Sequence, residues 1–261
     1  MKNELKEALE YVLKQTFDTI DQIYKNVDHE QSIYNGSRLI FPRYRDKTRI
    51  RVSEQELRFI FVDQFIKYCM EQQGKFDYYY SVEVPTQYVY SFPHSNDMPP
   101  VVSKKDKGMQ SASIDLAIFK KDYDDPVAII EFKKDGCGAH EIAKDILKLS
   151  VEPSTELRYF IMISSSDTLL EKIAKNGNPS GLLKSLRDKL NNKCFQFDTK
   201  DLPCHEIDIL WHRLPSNGEP QRNGSILPID NYDFHAIYKD IGNQNTTGQD
   251  KLKILSGVKS S

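Results

Sequence analysis

VAIIEFKK, residues 127–134, decides how the rest of the chain is read. Its β-branched and aromatic residues mark it as a strand. Side chains alternate along a strand, so Ile129, Glu131 and Lys133 share one face and Ala128, Ile130 and Phe132 the other. The second face is wholly apolar, while the first carries two charges in a segment otherwise suited to burial. The preceding SIDLAIF, residues 113–119, repeats the pattern. Asp115 lies with Ala117 and Phe119, opposite Ile114, Leu116 and Ile118. If the DYDDP turn between the two strands lets them pair, Asp115, Glu131 and Lys133 converge.

Such a convergence needs a physical reason, because a charge taken out of water costs on the order of several kcal/mol unless partners compensate. Two neighbouring carboxylates repel, and one lysine offsets one charge. Hard carboxylate oxygens suit magnesium or manganese, so the cluster is read as a metal site built on rigid strands. The competing reading is an exposed cross-strand ladder worth about a few tenths of a kcal/mol. The dominance of apolar residues in both strands argues against it.

Working outward, residues 3–26 place Leu5, Leu9, Val12, Leu13, Phe17, Ile20 and Ile23 at three-to-four spacing, which predicts an amphipathic helix packed on the domain as an N-terminal arm. A second helix opens at Ser53, and Glu56 three residues later completes a capping-box pattern. YYYSVEVPTQYVYSF, residues 78–92, is expected to be one strand bent at Pro85, and residues 93–110 a mobile loop. After the two charged strands, EIAKDILKLS reads as a helix and RYFIMIS, residues 158–164, as a strand. DTLLEKIAK and GLLKSLRDKL are further helical candidates, HEIDILWHRL (205–214) is a late strand, and no internal repeat is found. The expected class is α/β, a mixed central sheet flanked by helices. The expected division is an N-terminal helix and basic segment over 1–52, a main domain over 53–242 and a polar tail over 243–261.

Ile114-Asp115, then Glu131-Phe132-Lys133 on the following strand, with a helix bearing Glu56 before them and a helix with Lys144 and Asp145 after, resembles the PD-(D/E)xK nuclease superfamily over roughly residues 53–164. Ile114 stands where the family's name has Pro. The resemblance implies a restriction-endonuclease-like core ordered helix, three strands, helix, strand, and a magnesium- or manganese-dependent cut of a phosphodiester. It implies that Asp115, Glu131 and the Phe132 carbonyl ligate the metal and that Lys133 orients or activates the attacking water. Glu56 is preferred over Glu54 as the supporting acid of the first helix. DNA is the implied substrate, with RNA as an alternative, in bacterial defence or restriction. A non-catalytic nucleic-acid-binding or protein-interaction module on the same fold, and a chain that dimerises through its N-terminal helix or joins a larger defence complex, are the competing functions.

SRLIFPRYRDKTRIR, residues 37–51, sets Arg38, Arg43, Arg45, Lys47, Arg49 and Arg51 against Asp46 alone, with Phe41 and Tyr44 between them. Such a basic and aromatic stretch suits phosphate contacts, and equally a solvated loop. The formal net charge of -2 does not decide between them. Glu83 is a minor candidate for reaching the metal, and His140 reads as a loop or cap residue. With 39% hydrophobic and 28% charged residues, 14 Tyr and 13 Phe, the composition is that of a folded chain. Cys69, Cys137, Cys194 and Cys204 form neither a CxxC pair nor a zinc pattern. No signal peptide or membrane span is expected, so a cytoplasmic setting is.

Overall fold

The computed structural model describes residues 2–25, 39, 41, 45, 51–91, 101–104, 112–134, 137, 141, 145, 148–149, 151–153, 155–164, 205, 207–214 and 227–228. The elements are helices α1 (Lys2–Lys25) and α2 (Glu54–Glu71), and strands β1 (Tyr78–Pro85), β2 (Tyr88–Ser91), β3 (Val101–Lys104), β4 (Ser113–Lys120), β5 (Ala128–Lys134), β6 (Leu157–Ser164), β7 (Asp208–Arg213) and β8 (Leu227–Pro228). Positions 141, 145, 148, 149 and 151, between β5 and β6, are also helical. The helical candidates over 167–175 and 181–190 and the tail over 243–261 lie outside the described residues.

A six-stranded sheet runs in the order β1-β4-β5-β6-β7-β8. β1, β4 and β5 form an antiparallel meander. β6 then pairs parallel to β5, and β7 parallel to β6. A parallel neighbour cannot be reached by a tight turn, so the helical segment between β5 and β6 is the crossover that the topology requires. The fold is therefore α/β with a mixed sheet.

The strand expected over 78–92 is two. β1 ends at Pro85, which has no N–H for a ladder, and β2 turns away to pair with β3 in a separate two-stranded sheet. The loop expected over 93–110 is corrected at Val101–Lys104, whose short β-branched run supplies β3.

The predicted apolar stripe of α1 is buried in the same core as Leu57, Ile60, Phe61 and Phe65 of α2. That core includes Leu116, Ile118, Ala128, Ile130 and Phe132, so the apolar faces of β4 and β5 look toward the two helices as alternation predicts. Dimerisation through the stripe of α1 is thereby disfavoured, because its own chain covers it. On the other side of the sheet, Ala117, Ile129, Phe160 and Met162 are buried as well, together with the helical Leu149 and Val151. Both faces of the central strands are thus covered, and the charges on the second face are not on a wet surface. Among the described residues no helix is long and apolar enough to cross a membrane.

Candidate functional site

The β4–β5 ladder runs through Leu116↔Ile130, and continuing that register sets Asp115 opposite Glu131. There the side chain takes over from the backbone: the Phe132 N–H donates to Asp115 Oδ2 at 2.8 Å. Asp115 is thus tied to the strand that carries Glu131 and Lys133, and the three sequence candidates do come together.

Glu131 is 1% exposed. Lys148, one helical turn before the end of the crossover helix and also buried, reaches Glu131 Oε1 at 2.5 Å and Asp145 Oδ1 at 2.9 Å. Its ammonium also donates to the Ser113 carbonyl at 2.8 Å. Lys133 meets Asp145 Oδ2 at 2.8 Å and Glu54 Oε2 at 3.6 Å. Asp145 therefore bridges the two lysines, one oxygen to each.

Burial pushes the Glu131 carboxyl well above its ordinary value, Asp145 and Asp115 push the same way, and Lys148 opposes them. Burial works against the charge on Lys133 and Lys148, yet both are held above the ordinary lysine value, Lys133 by Asp145 and Glu54, Lys148 by Glu131 and Asp145. Burial also raises Glu54, against the pull of Lys133. The lysines are therefore cations in this network.

A second set of contacts flanks it. Arg58 of α2, itself buried, places Nη1 2.5 Å from Glu83 Oε1, 3.2 Å from the Asp115 carbonyl and 3.9 Å from Asp115 Oδ1. The Ser113 hydroxyl donates to Glu83 Oε2 at 2.8 Å. Those contacts, the Arg58 hydrogen bond foremost, hold the Glu83 carboxyl below its ordinary value. Glu83 has a φ of 52°, a left-handed conformation inside a strand. That costs about 1–2 kcal/mol for a residue with a Cβ, and strain of this kind gathers at functional sites. Glu83 is engaged with Arg58 and Ser113 rather than directed at Glu131.

The first-helix acid is corrected in position. Glu56 folds back over the helix start, where its Oε2 accepts from the Ser53 N–H at 2.7 Å and from the Ser53 hydroxyl. Glu54, not Glu56, reaches Lys133. Helical geometry explains the difference. Glu54 lies on the stripe of Arg58, Phe61 and Phe65, whereas Glu56, two residues on, lies on a different stripe with Ile60 and Gln64.

Sequence reasoning missed Lys148 and Arg58. A signal existed for each: Lys148 follows Asp145 by three residues on one helix face, and Arg58 interrupts a stripe of apolar residues. Of the basic stretch, Arg45 and Arg51 are exposed. Arg38, Arg43, Lys47 and Arg49 lie outside the described residues, as do His140 and Lys144. Phe41 is not an exposed stacking ring but part of the core.

Among the described residues, no three His, Cys, Asp or Glu side chains are grouped so as to hold a metal ion by themselves. The chemistry of the donors nonetheless fits a hard divalent cation. Carboxylates of Asp115 and Glu131 and the Phe132 carbonyl lie at adjoining strand positions. Around them five carboxylates, those of Glu54, Glu83, Asp115, Glu131 and Asp145, face three cations, Arg58, Lys133 and Lys148. Comparison with protein-family models, curated proteins and solved structures finds no match to this chain.

Proposed function

We propose that the chain is a divalent-metal-dependent nuclease with a restriction-endonuclease-like core and a PD-(D/E)xK-type site, cutting phosphodiester bonds of DNA. One observation carries the reading: the buried Glu131 and the neighbouring Asp115 are joined to Lys133 through a network with more carboxylates than cations. The order of elements supports it, with α2, the meander β1-β4-β5, a helical crossover and β6 parallel to β5.

In this reading Asp115, Glu131 and the Phe132 carbonyl hold magnesium or manganese. When bound, the ion supplies a water of lowered pKa and offsets charge building on the phosphate. Lys133, kept cationic by Asp145 and Glu54, orients the attacking water and faces the phosphate oxygens. Glu54 takes the supporting part expected of Glu56. Arg58 and Glu83 hold β4 in place behind Asp115. Exposed Arg45 and Arg51 contribute to a phosphate-contacting surface with the other cations of residues 37–51. Bacterial genome defence in the cytoplasm is the setting that the resemblance implies.

A non-catalytic binding module on the same fold draws on a different observation, that Lys148 and Lys133 already pair with Glu131 and Asp145. Plasmid, linear and single-stranded DNA, and RNA, incubated with the protein in magnesium, manganese or EDTA, separate the two. The nuclease cuts with either ion and stops in EDTA, and Asp115→Asn or Glu131→Gln slows it by about 10²-fold or more while circular dichroism stays that of the wild type. Cutting at the wild-type rate by either variant would contradict the assignment.

A further inference from the structure

The motif read from the sequence contains one lysine, but the cation that touches Glu131 is a different one. Each proton of the Lys148 ammonium has an oxygen to meet: Glu131 Oε1 at 2.5 Å, Asp145 Oδ1 at 2.9 Å and the Ser113 carbonyl at 2.8 Å. Two carboxylate oxygens and a backbone carbonyl are also the donors that hard divalent cations take. The ammonium is buried and comes from the crossover helix. Lys133, in contrast, leaves Glu131 alone and pairs with Asp145 and Glu54.

We propose that Lys148 is a tethered counter-ion that occupies the cation position of Glu131 in the metal-free protein and gives it up to a divalent metal. The inference rests on the nuclease reading above and adds a positioning residue to that site. A buried carboxylate beside Asp145 and Asp115 is costly without a cation nearby, so a chain that must fold before it meets metal gains from carrying its own. The same ammonium then opposes the metal by like-charge repulsion at close range, which sets the affinity lower than the carboxylates alone give. Release of Lys148 on metal binding leaves it within reach of whatever oxygens the metal brings, the phosphate included.

The test compares manganese binding, followed by the EPR signal of free Mn2+ and by calorimetry, in the wild type and in Lys148→Met and Lys148→Gln, with thermal melts for each. The two variants guard against a side chain that simply fails to fit. The expected result is a lower melting temperature without metal, about tenfold or more tighter Mn2+ binding, and a larger rise in melting temperature on adding Mn2+ than the wild type gains. Lys148→Arg, which keeps the charge, stays near the wild-type affinity. If folded Lys148→Met and Lys148→Gln bind Mn2+ equally or more weakly than the wild type, Lys148 is a strut and the inference fails alone. That is separable from the nuclease reading, which stands if wild-type binding is present and lost in Asp115→Asn. Absence of Mn2+ binding in the wild type and in all Lys148 variants would sink both.

Discussion

The two faces of β5 are built from the same seven residues and obey opposite rules. Ala128, Ile130 and Phe132 face α1 and α2 in a continuous apolar core, where Phe132 lies against Phe61 at 5.6 Å between ring centroids. Glu131 and Lys133 face the crossover helix, where Glu131 is as thoroughly removed from water and Lys133 largely so, but they meet Lys148 and Asp145 instead of methyl groups. Burial alone therefore does not separate a core from a site. What separates them is charge that the packing does not require: an apolar residue in place of Glu131 would cover the same area with no desolvation cost.

The comparison is broken most forcefully by substitution on each face in turn. Phe132→Ala removes a fully buried ring and leaves a cavity, and is expected to cost about 3–5 kcal/mol in denaturant unfolding. Glu131→Gln keeps the shape and leaves Lys148 its Asp145 and Ser113 partners, so its loss is expected to be smaller. A Glu131→Gln loss equal to that of Phe132→Ala would show that the charged face is as structural as the apolar one.

A smaller effect sharpens the comparison at the start of α2, where two glutamates two positions apart do different work. Glu56→Ala removes the capping box and is expected to cost about 0.5–2 kcal/mol of stability with cleavage unaltered. Glu54→Ala leaves the cap intact and takes away one of the two carboxylates facing Lys133. Its expected signature is a several-fold fall in single-turnover rate with little loss of stability. Unfolding and cleavage measured on both variants check the split, and the reverse pattern would restore Glu56 to the site.

The strands of the site were legible because period-two alternation is a local signal, and Asp115, Glu131 and Lys133 follow from it. So was α1, whose stripe has one period over its whole length. The breaking of residues 78–92 into β1 and β2 was not, because it depends on partners: β1 has β4 beside it, and β2 pairs with β3. The preference for Glu56 over Glu54 followed the capping motif, which explains a carboxylate without placing it in a site, whereas the helical stripe through Arg58, Phe61 and Phe65 would have chosen Glu54. The spacing of Lys148 from Asp145 was a local signal, but its pairing with Glu131 follows from the face of the sheet that the crossover helix covers, a tertiary fact. Glu152 shows the same limit: it accepts from the backbone of Gln87 at 2.8 Å and from the Tyr90 hydroxyl at 2.7 Å, tying the end of that helix to β2 across a separation in sequence that no local pattern spans.

The measurement that bears most directly on a metal-dependent nuclease site on this face of β5 is single-turnover cleavage beside metal affinity in Lys133→Ala. This substitution removes the cation assigned to the attacking water and leaves Asp115, Glu131 and Lys148 in place. The expected result is metal bound as in the wild type, substrate affinity little changed, and cleavage reduced about 10²-fold or more. Metal binding and cleavage both retained would contradict the assignment, and would leave Lys133 a charge that screens Asp145 and Glu54 and carries no chemistry.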